Sequence, residues 1–147
     1  MTELAGAHEL EDAVREDVAA HCATGDAFAQ AGRLEEALSA YNTAWKRLPE
    51  PQYRWEAATA ILTTIGELAL AAGRPLAARK AFEYAMSCPG GSGDPHLHLR
   101  FGQVLFDAGE LDRAGDELMR AYRGGGEEVF GRDDPKYREF LRARSGV

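Results

Sequence analysis

An all-α chain assembled from a repeated helical hairpin is the fold class that three observations predict. A pattern of Gly, Ala, a bulky residue and Ala occurs three times with identical offsets of +5, +9 and +12 from the Gly: Gly32, Ala37, Tyr41, Ala44; Gly73, Ala78, Phe82, Ala85; and Gly109, Ala114, Leu118, Ala121. Those intervals put the last three residues of each set on one face of a helix that begins just after the Gly. Apolar residues also recur at helical spacing along most of the 147 residues, with no strand-like alternation. Finally, Asp-Pro start signals and Gly-rich stops punctuate the pattern.

Seven helices follow in order. The first is expected from about Ala7 to Ala31. The second, Arg33 to Leu48, carries the cleanest amphipathic stripe: Leu34, Ala37, Leu38, Tyr41, Ala44, Trp45 and Leu48. A third is expected from near Pro51 to Ala72, with the segment Leu48–Glu56 adding two turns at its front, and a fourth from Arg74 to Ser87. The run Pro89–Gly93 breaks the chain, after which Asp94-Pro95 supplies an N-cap and a first-turn proline for a fifth helix to about Ala108. The sixth runs from Glu110 to Arg123, stopped by Gly124–Gly126, and Asp134-Pro135 opens a last helix to about Arg144. Gly32, Gly73 and Gly109 are expected to end their helices in the left-handed conformation.

This pattern resembles the tetratricopeptide repeat, a helix–turn–helix unit of about 34 residues. The first unit offers His21, Thr24, Gly25, Phe28, Gly32, Ala37, Tyr41, Ala44 and Pro49 in register. The second offers Leu62, Ile65, Gly66, Gly73, Ala78, Phe82 and Ala85, with Ala69 where Tyr is usual and Gly90 where Pro is usual. The third offers His98, Phe101, Gly102, Leu105, Gly109, Ala114, Leu118 and Ala121, with Gly126 at the Pro position. The resemblance implies an α-solenoid in one domain, 1–147, with three antiparallel hairpins at about 18–50, 59–90 and 95–126 and a capping helix at 134–144. Gly25, Gly66 and Gly102 are expected to meet the Ala positions of the paired helix and bring the two axes close. The spacing departs from the repeat length, at 41 residues between the first two units and 36 between the next.

Composition narrows the function. Hydrophobic residues make up 45% and charged residues 28%, ordinary for a globular protein, and the net charge of −7 speaks against nucleic acid, which needs clustered Lys and Arg. Residues 1–31 hold seven acids (Glu3, Glu9, Glu11, Asp12, Glu16, Asp17 and Asp26) against Arg15, whereas Arg132, Lys136, Arg138, Arg142 and Arg144 make the tail basic. With no leader and no run of about 18 apolar residues, a cytoplasmic location and no membrane partner are expected. Cys22 and Cys88 read as small hydrophobes rather than a disulfide. Fourteen Arg against three Lys, with abundant Ala, suggest a bacterial genome.

No catalytic constellation emerges. His96 and His98 are two apart, about 200° around a helix, and cannot share one metal face. His8 and His21 lack ligand-spaced partners, and no Cys-x-x-Cys is present. The glycines of Pro89–Gly93 and Gly124–Gly126 lack the Gly-Lys-Ser/Thr of a phosphate cradle. The adjacent acids Glu35-Glu36, Glu127-Glu128 and Asp133-Asp134 cannot flank one substrate from one helix face. The chain therefore reads as no enzyme, with no cofactor and no metal.

In tetratricopeptide proteins the first helix of each hairpin lines a concave groove. That resemblance assigns Cys22, Asp26 and Gln30 in the first unit and Thr63, Thr64, Glu67 and Leu70 in the second. In the third it assigns His96, Leu99, Arg100, Gln103, Phe106 and Asp107. Among the groove positions only Arg100 is cationic, which disfavours capture of a peptide carboxylate. Tyr53 and Trp55, with Pro49 and Pro51, form a second candidate surface because aromatics concentrate at binding hot spots, while Trp45 reads as core. The expected function is a protein–protein interaction module that holds a protein or peptide, a basic one by charge. A bacterial immunity or antitoxin protein that neutralises a cognate toxin, and a structural unit that self-associates head to tail, are the alternatives; a monomer or weak homo-oligomer is expected.

Overall fold

The computed structural model of the chain describes residues 10–147. The expected helix start at Ala7, together with Glu3, His8 and Glu9, lies outside the described residues. The fold is all-α: the described residues form seven α-helices and no strand. They divide into two compact units, one ending at Gly91 and one spanning Ser92–Val147.

The first unit contains α1 (Asp12–Gln30), α2 (Leu34–Arg47), α3 (Glu56–Ala71) and α4 (Pro75–Ala85). Helix α1 packs on α2, α2 on α3 and α3 on α4. The second unit contains α5 (Pro95–Asp107), α6 (Leu111–Gly125) and α7 (Pro135–Ser145), with a 3-10 turn at Glu127–Phe130. Helix α5 packs on α6, and α6 packs on both the turn and α7. The two Asp-Pro starts act as the sequence suggests. Asp94 accepts from the backbone N–H of His96 at 2.9 Å, and Asp134 from that of Lys136 at 3.0 Å.

All three hairpins turn the same way. Gly32, Gly73 and Gly109 have φ of 77°, 77° and 82°. In each, the Gly N–H bonds a carbonyl three residues back and the next N–H bonds one five back: Arg33 to Phe28 at 2.9 Å, Arg74 to Ala69 at 2.8 Å, Glu110 to Leu105 at 2.9 Å. This double closure satisfies the last carbonyls of the helix and requires a residue that tolerates positive φ.

The second set of small residues, Gly25, Gly66 and Gly102, meets the expectation only in part. Gly25 approaches the Ala37 carbonyl, at 3.3 Å from an added Cβ, but all three glycines lie closest to the bulky residue at +9. A Cβ at Gly25 would run into the Tyr41 ring, one at Gly66 would sit 2.7 Å from Phe82 Cδ1, and one at Gly102 would sit 2.8 Å from Leu118 Cγ. Each bulky side chain therefore lies flat against bare backbone, and Phe82 and Leu118 are fully buried. Burying a side chain of that size contributes about 1.5–3 kcal/mol.

Two boundaries are corrected. Leu48–Glu56 does not extend α3 forward; it forms a separate 3-10 turn, Gln52–Arg54, preceded by a cis Glu50–Pro51 peptide. Trp55, extended at φ −87° and ψ 143°, interrupts the helix, and its indole N–H donates to the Pro49 carbonyl at 2.7 Å. Gly124 and Gly125 belong to α6 rather than stopping it. A Cβ on Gly124 would strike the Pro95 ring at 2.7 Å, so the glycine serves close approach, and Gly126 at φ 67° makes the stop.

Candidate functional site

On the first unit, two of the expected groove residues, Asp26 and Thr64, meet at one hydroxyl. Tyr41, at the centre of α2, donates its O–H to the Asp26 carboxylate of α1 and also reaches the Thr64 side chain of α3. Asp26 and Gln30 are exposed, while Cys22, Thr63, Thr64, Glu67 and Leu70 are half-buried. Thr63 Oγ1 donates to the Thr59 carbonyl at 2.7 Å, and Thr59 Oγ1 in turn donates to Pro89 O at 2.6 Å. Burial, then the bond to Asp26, pushes the Tyr41 hydroxyl well above the ordinary tyrosine range. Burial, with Asp26 nearby, likewise raises the Cys22 thiol, and burial raises Cys88. Both cysteines are free. A raised thiol keeps little thiolate at neutral pH, so neither environment activates a nucleophile.

On the second unit, the expected groove face is largely covered from within. Leu99 is 1% exposed and packs in a core with Leu118, Ala121, Phe130 and Leu141, so it presents nothing to a partner. Gln103 is buried too: its amide donates to Asp133 at 2.8 Å, and Arg100 donates to Asp133 at 3.2 Å and to Gln103 at 3.0 Å. Phe106 meets Tyr137 and Phe140 of α7 edge to face, with ring centres 5.4 and 5.0 Å apart. Asp107 accepts from the Tyr137 hydroxyl at 2.8 Å and pairs with Lys136 at 3.3 Å. Of this set only His96 and Asp107 are exposed. Nothing in the α5 pattern signals this, because the covering residues Asp133, Tyr137 and Phe140 lie some thirty positions downstream.

His98 belongs to the same unit's interior. Its Nδ1 lies 3.0 Å from Glu117 Oε2 and its Nε2 lies 2.7 Å from the Ser92 carbonyl, while Arg120 donates to Glu117 at 2.9 Å. Both ring nitrogens and the buried carboxylate are satisfied within the unit, which makes this a structural network. Among the described residues, no group of three or more His, Cys, Asp or Glu side chains is placed to hold a metal ion.

The aromatic insertion forms a distinct cleft on the first unit. Glu50, Pro51, Gln52, Tyr53 and Tyr84 line an open cavity of about 460 Å³. Tyr53 is 49% exposed and Tyr84 42% exposed. Trp45 is half-buried rather than core, and its ring meets Tyr84 edge to face at 5.5 Å. Trp55 is turned inward to Pro49, with the Arg54 guanidinium 5.1 Å over its ring. Gln52 anchors the loop by donating to the Trp45 carbonyl at 3.3 Å. Tyr84 was missed by sequence reasoning. It lies one helix away from the insertion, and its only sequence signal is a large aromatic beside the buried Ala85 on α4.

Some of the charges on α1 and α7 form ion pairs within their own unit. In α1, Asp12 pairs with Arg15, and Asp17 with Arg47 at 3.3 Å. In α7, Arg138 pairs with Glu127 and Arg144 with Asp112 at 3.2 Å. Among the described residues, no helix is long and apolar enough to cross a membrane. No protein-family model matches the chain, and no curated protein matches it.

Proposed function

We propose that the chain is a protein-binding module of tetratricopeptide-like build that holds a protein or peptide without performing chemistry. The observation that carries this reading is the convergence of α1, α2 and α3 on the Tyr41 hydroxyl. It sets Asp26 and Thr64 on either side of a buried support and leaves Gln30, Thr63 and Glu67 at or near the surface. A rigid, polar, mildly acidic face of this kind suits an extended segment with donor and basic groups. The threefold turn and the threefold approach of a glycine to a bulky side chain support the repeat architecture behind it.

The test is capture of partners by the tagged chain at high salt, compared with Asp26→Lys and Thr63→Arg variants. One stoichiometric protein that is lost from both variants, while their helical signal is kept, is the expected result. Undiminished capture by both, or substrate turnover by the purified chain, would overturn the reading.

A further inference from the structure

We infer that the cleft between the Pro49–Trp55 loop and α4 is a binding site for a single arginine side chain of a partner protein. It rests on the reading of the chain as a protein-binding module, but it uses a different surface from the Tyr41-centred face.

Two tyrosine rings stand about half-exposed at one opening, which is an uncommon use of aromatic surface unless it is covered on binding. The site is also held in shape before anything binds. Trp45 packs edge to face against Tyr84, Gln52 donates to the Trp45 carbonyl, and Trp55 donates to the Pro49 carbonyl. Preorganisation of this kind lowers the ordering cost of binding.

Electrostatics select the occupant. The sole ionisable carboxylate on the lining is Glu50, which is exposed, and among the described residues no hydrogen bond or ion pair holds it. No Lys or Arg lines the cleft, and the whole chain carries −7. Aromatic faces beside a carboxylate attract a cation through the ring quadrupole and the charge together. Arg fits better than Lys because its planar guanidinium stacks on a ring and pairs with a carboxylate through two parallel N–H bonds. The chain makes the same contact with itself, placing Arg138 5.0 Å over the Tyr122 ring and pairing it with Glu127.

The experiment is an NMR titration of the full isotopically labelled chain with N-acetyl-arginine amide, and in parallel with its neutral isostere N-acetyl-citrulline amide. The expected result is saturable shifts confined to Glu50–Tyr53 and Tyr84, with the citrulline analogue about tenfold weaker. Glu50→Gln is expected to remove most of that preference and Tyr53→Leu to weaken arginine binding. Both changes are at exposed positions, so the fold is retained. Equal binding of the two probes, or shifts that avoid the cleft, would overturn the inference. A titrating cleft with no captured partner would count against the protein-binding reading and leave this site standing. A partner lost on Asp26→Lys, with a silent cleft, would do the reverse.

Discussion

The first hairpin and the third share a motif and expose different things. Around Tyr41, the helices α1 and α3 leave Asp26 and Gln30 in solvent, whereas on α5 the corresponding stretch is roofed by α7 and by Asp133. Tyrosine marks both places. Tyr41 donates to Asp26 from below the face it supports, and Tyr137 donates to Asp107 from above the face it closes. The repeat thus dictates how a hairpin packs internally, while the segment that follows decides whether its outer face is free. A helix placed next in sequence turns a candidate groove into core.

That contrast can be broken most strongly through Leu141. It is fully buried in the cluster with Leu99, Leu118, Ala121 and Phe130, and Leu141→Ala is expected to cost about 2–5 kcal/mol, read by urea unfolding. Hydrogen exchange should then show protection falling in α5 and α6 and little altered in α1 and α2. An even loss along the chain would erase the distinction between the units.

A smaller effect separates the two roles of glycine. Gly66→Ala forces a methyl to within about 3 Å of the Phe82 ring and is expected to cost about 1–3 kcal/mol. Gly32→Ala meets open space and carries only the penalty of positive φ, about 1 kcal/mol. Thermal unfolding of the two variants checks the order; a reversal would mean the ring can shift aside at little cost.

The smallest effect appears only in alkali and sharpens the likeness between the two tyrosines. Burial, then the hydrogen bond to Asp26 or Asp107, raises both hydroxyls far above the ordinary value of about 10. A raised folded-state value means that the native protein holds its proton after the unfolded chain has lost it. The resulting stability is therefore complete below about pH 10 and declines as pH rises beyond it. Ultraviolet titration should find these two phenols late among the five tyrosines, and Asp26→Asn should bring Tyr41 down while leaving Tyr137 late.

Locally encoded features were legible in the sequence. A helix stop at Gly32, Gly73 or Gly109 depends on one residue's backbone freedom, and an Asp cap depends on the next three residues, so composition at a few positions decides each. The all-α fold followed from periodicity for the same reason. Two things were not legible in the periodicity. Whether Leu99 and Gln103 face solvent depends on Phe130, Asp133 and Leu141, which no local pattern on α5 contains. Leu48–Glu56 does not continue a helix because Pro49 and Pro51 disfavour helical backbone there. The extended loop is closed by the Trp55 indole donating to the Pro49 carbonyl six residues back. The prolines were the signal that the periodicity overrode. The aromatic cleft joins both problems, since Tyr84 reaches it from another helix.

The close approach of glycine to a bulky side chain carries a kinetic consequence. Gly25 and Tyr41, Gly66 and Phe82, and Gly102 and Leu118 are each sixteen positions apart. Closing so short a span costs little chain entropy, and it costs the same in all three hairpins. No one of them is obliged to form first, so folding can begin at whichever hairpin collapses earliest.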